Sequence, residues 1–428
     1  MDFNNNQQQQ NPYAQGANPQ GNYNPQGGYN PYGAAQYGYP QNGYPQNGYS
    51  QPGYQQPGNQ QYGYDQYGNP QNVYPQYSNP GYGYGMPQFQ PFDEKSAKKN
   101  FSRIGLSYFL FWVVSLAATF VFALILQFCA QSFYSSDFTD SYLVRILASL
   151  LPMYLVGAPV CWLLLNKVPA EKPARNKWNF GQIVGGFIVG YSLMYIGSII
   201  GSYIGTIIES FFPDAQASTN NVQELVLTGE MWVNILAMVM IGPVVEELLF
   251  RKLLCDRLKP YGDGITVVVT GLMFGLFHGN LTQGIYAFLF GAFLAYVYLR
   301  TGNIFITIGY HVTANFMGSV LPLLALSSSA LDGYTEILET GDTNALTEFI
   351  SENAEAFAVY GLYVMMVFGL MIAGIVIMIV TLARGRVKFE PGRIRIPSGR
   401  RFATVIVNVG MILFLIASFA EILMSTFG

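Results

Sequence analysis

The chain has 428 residues, of which 51% are hydrophobic and only 11% charged, whereas a soluble domain carries about 25% charged residues. The net charge is −3 and the basic residues fall in short clusters, which excludes the continuous basic face that a nucleic-acid partner requires. The three cysteines, Cys129, Cys161 and Cys255, are far apart and form no CxxC pair, so neither a disulfide framework nor a thiolate zinc site is expected.

In chain order, residues 1–92 come first and consist mostly of Gln, Asn, Gly, Pro and Tyr, holding 13 of the 23 prolines and 16 of the 31 tyrosines. With almost no aliphatic residues to bury, this segment cannot offset its chain entropy and is expected to be a disordered tail. A five-residue period is visible through Tyr39, Tyr44, Tyr49 and Tyr54. Regular tyrosines among Gln and Asn make a tract suited to self-association or to an unidentified partner, and the alternative is a passive solvated tail. The tail also pulls mean hydropathy down to +0.24. No secretory leader is expected, since the N-terminus lacks a basic and then apolar run.

Beyond the tail, residues 101–428 read as a membrane domain: an all-α, polytopic transmembrane helical bundle. Runs near 104–130, 146–166, 181–208, 231–256, 263–279, 284–299, 303–325, 356–382 and 403–427 give nine candidate spans, each near the length needed to cross the hydrocarbon core. The segments 263–279 and 284–299 are short and joined by a tight turn, so either is a candidate for partial crossing. Basic residues orient the chain. Lys95, Lys98, Lys99 and Arg103 precede the first span, and alternate loops repeat the bias through Lys167, Lys172, Arg175 and Lys177, then Arg251, Lys252, Arg257 and Lys259, then Arg300, then seven Lys or Arg within 384–401. The intervening loops 131–142, 209–230 and 326–355 contain none. A multi-pass protein of the cell membrane, with a cytoplasmic N-terminus and an outside C-terminus, follows from the positive-inside rule.

Ionisable groups at the centre of a membrane helix cost about 2.5–3.5 kcal/mol on insertion scales, so those retained are candidates for function. Both histidines of the chain, His278 and His311, fall within predicted spans. Helical periodicity places Glu247 with Arg251, Phe274 with His278, and His311 with Asn315, each pair four residues apart and on one face. Glu247 and Arg251 can therefore pair. Glu246, about 100° round the helix, is left to project into the bundle, where a carboxylate suits a general base for water. Pro243 deletes a helical hydrogen bond three residues before it. No HExxH occurs, yet two histidines with Glu246 and a water would match a catalytic zinc count, making Glu246, His278 and His311 the candidate metal ligands.

These residues, as Glu246-Glu247-x-x-x-Arg251, Phe274-x-x-x-His278 and His311-x-x-x-Asn315, resemble in order and spacing the motifs of the CAAX-protease and bacteriocin-processing family of intramembrane proteases, of the type II CAAX prenyl endopeptidase kind. The resemblance covers residues 180–325. It implies a helical membrane fold in which Glu246 and His278 activate water, His311 and Asn315 stabilise the oxyanion, and Glu247, Arg251 and Phe274 support the site. The implied activity is endopeptidase cleavage of a membrane-anchored protein or peptide, with Zn2+ or with a metal-free glutamate mechanism. For a single site, Glu246 and His278 must meet at one depth, so span 263–279 is expected to start deep, bend or cross only partly. Two other readings stay open from the sequence: a proton-coupled transporter using buried Glu and His, and a non-catalytic membrane protein conferring bacteriocin self-immunity or acting as a scaffold.

Overall fold

The computed structural model describes residues 89–133, 141–217, 230–325 and 342–428, with Ala330, Gly333 and Ile337 between the last two segments. The tail up to residue 88 lies outside them. The helices are α1 (Glu94–Phe133), α2 (Tyr142–Leu165), α3 (Phe180–Phe211), α4 (Met231–Tyr261), α5 (Asp263–Leu276), α6 (Leu281–Thr301), α7 (Ile304–Ala325), α8 (Thr343–Glu352), α9 (Ala354–Ala383), α10 (Arg401–Val405) and α11 (Val409–Phe427). Among the described residues there is no β-strand, only two isolated bridges. Among the described residues eight helices (α1, α2, α3, α4, α6, α7, α9 and α11) are long and apolar enough to cross a membrane. The nine candidate spans thus become eight long helices and one short one, α5, whose fourteen residues reach about 21 Å, against about 30 Å of hydrocarbon.

The exterior is that of a membrane protein. Phe120, Leu155, Leu362 and Ile416, on four different helices, are each more than 60% exposed, which water would penalise and lipid does not. Polar punctuation sets the helix starts. Asn179 and Gln182 form a capping box at α3, and Asn280 and Asn303 cap α6 and α7. Asn408 accepts from the Met411 N–H, which explains why the span read as 403–427 breaks into α10 and α11: the cap satisfies the orphan donors of a new helix start.

Helix α4 turns directly into α5 at Gly262, whose φ of +99° is open to glycine at little cost. A Cβ there would lie 2.8 Å from Gly392 N. The turn is locked beneath the segment joining α9 to α10: Lys259 Nζ donates to Asp263 Oδ1 at 3.0 Å, Arg300 Nη1 donates to Glu390 Oε1 at 3.0 Å, and Arg300 also pairs with Asp263. Partial burial pushes the Glu390 carboxyl up, but Arg300 and Lys259 outweigh it and hold the group below its ordinary value. The chain enters at this basic end, where Gln90 N donates to Arg393 O at 2.9 Å and Arg395 lies over the Phe89 ring. At the far end of α6, Thr282 Oγ1 donates to Ala217 O, and Gln216 N nearby donates to Thr426 O at the close of α11. The described chain therefore enters and leaves at opposite ends of the bundle.

The hairpin at Gly262 also sets the depth of the polar residues. Glu246 stands fifteen residues before Tyr261 and His278 fifteen residues after Asp263, so each lies about 22 Å from the turn at ~1.5 Å per residue. The two motifs are level because α4 runs on past residue 256, the expected end of its span, to Tyr261.

Candidate active site

Helix α4 is not uniformly α-helical around its charges. Residues Ile235–Ile241 and Leu248–Cys255 are wound as π-helix, flanking the α-helical Gly242–Glu247. Such turns carry an extra residue and recur at functional sites. Pro243 has no N–H to give, and in the i→i−5 register the acceptor left without a donor is Met238 O. Asn315 Nδ2, from α7, donates to that carbonyl at 2.9 Å. The second half of the HxxxN motif thus repairs the backbone break that precedes Glu246.

Glu247 and Arg251 are both fully buried, with Nε 3.0 Å from Oε2. The guanidinium carbon lies 4.8 Å from the centre of the Phe274 ring, and none of its nitrogens has an aligned hydrogen-bond acceptor. The charge is therefore balanced by proximity to Glu247 and by the aromatic face. Glu247 Oε1 also meets His311 Nδ1 at 3.1 Å. Because a carboxylate oxygen only accepts, Nδ1 carries the proton, and Nε2 is turned toward Glu246 Oε2 at 3.7 Å. Thr307, one turn before His311 and fully buried, stands beside Glu247 as well.

His278 is fixed in the same manner by its own helix. Its Nδ1 lies 2.7 Å from Phe274 O, so that nitrogen donates and Nε2 is left as an acceptor. Glu246, His311 and Arg251 are all within its electrostatic reach. Phe274 is the hub: its ring centre is 4.9 Å from that of His278 and 5.8 Å from that of His311, both edge-on. Gly291 of α6 makes room for it, since a Cβ there would lie 2.5 Å from the Phe274 ring.

Glu246, Glu247, Arg251, Phe274, His278 and His311 are therefore brought together, and Asn315 joins them through the α4 backbone. Of the two carboxylates, Glu246 keeps 21% of its side chain accessible and Glu247 none. Sequence periodicity separated Glu246 from the Glu247–Arg251 pair but gave no sign that His311 would span both acids. Thr307 was also missed, although it extends the HxxxN spacing by one turn toward the N-terminus. Among the described residues no three His, Cys, Asp or Glu side chains are spaced to hold one ion. The donor types suit zinc, and each imidazole gives its Nδ1 proton to an oxygen and leaves Nε2 open, as a ligating histidine does.

Residues 228–317 match the family model for type II CAAX prenyl endopeptidase Rce1-like proteins. The matched segment runs from three residues before α4 to two residues past Asn315 and contains all three motifs, a narrower stretch than the 180–325 that the resemblance covers. The match supports a CAAX-type intramembrane protease. No curated protein and no solved structure matches the chain.

Proposed function

We propose that this protein is an intramembrane endopeptidase that hydrolyses a peptide bond in a membrane-anchored protein or peptide by metal-free catalysis, with Glu246 as the base. The reading rests on one observation above all: His311 spans the two carboxylates, at 3.1 Å from Glu247 and 3.7 Å from Glu246, with His278 beside them. Glu246 takes a proton from water while the hydroxide oxygen bonds to the carbonyl carbon. The carbonyl electrons move to oxygen, and collapse of the tetrahedral adduct breaks the C–N bond, the amine leaving with the proton held by Glu246. Glu247 fixes the ring orientation of His311, and the Nε2 atoms of both imidazoles are left to bind the attacking water. Purified protein assayed on membrane-anchored peptides tests this. His278→Ala should lower turnover by about 10²–10⁴-fold, and chelator should leave the wild type unchanged. Loss with chelator and recovery with zinc would overturn the metal-free reading, and unchanged turnover in His278→Ala would remove that residue from the site.

Asn315 enters this reading as a positioning residue, because one of its two amide protons holds Met238 O. Asn315→Ala should lower turnover by ~10–100-fold by letting the Pro243 break relax. Pro243→Ala restores a backbone N–H, so Asn315→Ala should cost distinctly less in that background. Equal losses in both backgrounds would return Asn315 to direct contact with the oxyanion.

A further inference from the structure

Helices α2 and α4 run side by side in the same direction, tied at both ends. Near the start, Tyr142 donates to Asn234 Oδ1, and near the close, Arg257 Nε donates to Leu165 O; both pairs are 92 residues apart. The same offset in the middle brings Tyr154 level with Glu246. Two further observations agree. A Cβ on Gly242 would lie 3.4 Å from Tyr154 Oη, and Gly242 is one turn before Glu246, whose side chain leans back over that turn because helical side chains tilt toward the N-terminus. The carboxylate of Glu246 is also within electrostatic reach of the phenol. Like α4, α2 is wound as π-helix at this level, over Met153–Gly157.

The hydroxyl is uncommitted. Tyrosine hydroxyls in apolar surroundings ordinarily find a partner, yet Tyr154 Oη makes no hydrogen bond among the described residues. By contrast, His278 and His311 each spend their one proton on a protein acceptor, and Asn315 spends one of its two. The guanidinium of Arg251 is closed off beneath Phe274.

We propose that Tyr154 is a further catalytic residue, its phenolic O–H donating a hydrogen bond to the oxyanion formed when water adds to the scissile carbonyl. This rests on the endopeptidase reading above. The proton stays on the phenol throughout: the carbonyl oxygen gains the electron pair of its π bond, is held by the O–H, and returns the pair as the C–N bond breaks.

The test compares wild type, Tyr154→Phe and Glu246→Gln on one membrane-anchored peptide, with a peptide phosphinate as the tetrahedral analogue. Tyr154→Phe should lower kcat by about 10–100-fold, somewhat less than loss of a fixed oxyanion-hole donor. KM and thermal unfolding in detergent should be unchanged, and phosphinate affinity should fall by the same factor as kcat. Wild-type kcat and phosphinate affinity in Tyr154→Phe would overturn the proposal, as would a loss that tracks KM or unfolding temperature. Cleavage by Glu246→Gln at the wild-type rate is a different result, and sinks the endopeptidase reading itself.

Discussion

Glu246→Gln is expected to reduce peptide cleavage by about 10²–10⁴-fold, the range for loss of a positioned base, while leaving the protein folded. The second half of that expectation follows from what Glu246 does not do. Its Oε2 accepts no hydrogen bond, its nearest cationic candidate is His311 Nε2 at 3.7 Å, and Arg251 is already paired with Glu247. An isosteric amide therefore removes a proton acceptor without orphaning a buried charge. The measurement is kcat on a membrane-anchored peptide beside thermal unfolding in detergent. Turnover within threefold of wild type would remove Glu246 from the reaction. Glu247→Gln gives the contrasting pattern, because that carboxylate bears on both Arg251 and His311: stability and turnover should fall together.

This division between the two acids was partly legible in the sequence. The i,i+4 spacing put Glu247 with Arg251 and left Glu246 on another face, and the same spacing placed Phe274 beneath His278. Depth was not legible. Arg257 and Lys259 read as the charged rim of a finished span, but Arg257 is only 5% exposed and donates to Leu165 O, Leu253 O and Asn166 Oδ1. A cation so fully bonded does not end a helix, and α4 continues to Tyr261. Those extra residues are what bring Glu246 level with His278. The Glu247–His311 contact joins residues 64 apart, and no local period announces it. Tyr154 carried no signal either: in α2 it is one tyrosine in an apolar run, and only the register with α4 singles it out.

Arg251→Met is expected to destabilise the fold by about 3–5 kcal/mol, the cost of leaving one member of a buried pair without its partner. Both side chains have no exposure, so water cannot take over the charge of Glu247, and His311 at 3.1 Å with Thr307 is left to hold it. Arg251→Lys keeps the charge but loses the planar group lying over Phe274 at 4.8 Å, so it should recover only part of the loss. The double variant Glu247→Gln/Arg251→Met should be more stable than Arg251→Met alone, since it removes the uncompensated anion and swaps a desolvated pair for neutral atoms. A Gln Oε1 still accepts from His311 Nδ1, so the ring stays oriented while the charge that would stabilise a protonated imidazole is gone. The double variant should therefore fold but turn over slowly. Unfolding in graded denaturing detergent measures the stabilities, and the peptide assay the turnover. A cost below about 1 kcal/mol for Arg251→Met, the worth of an exposed pair, would mean that water reaches the Glu247–Arg251 pair and that its burial does not hold.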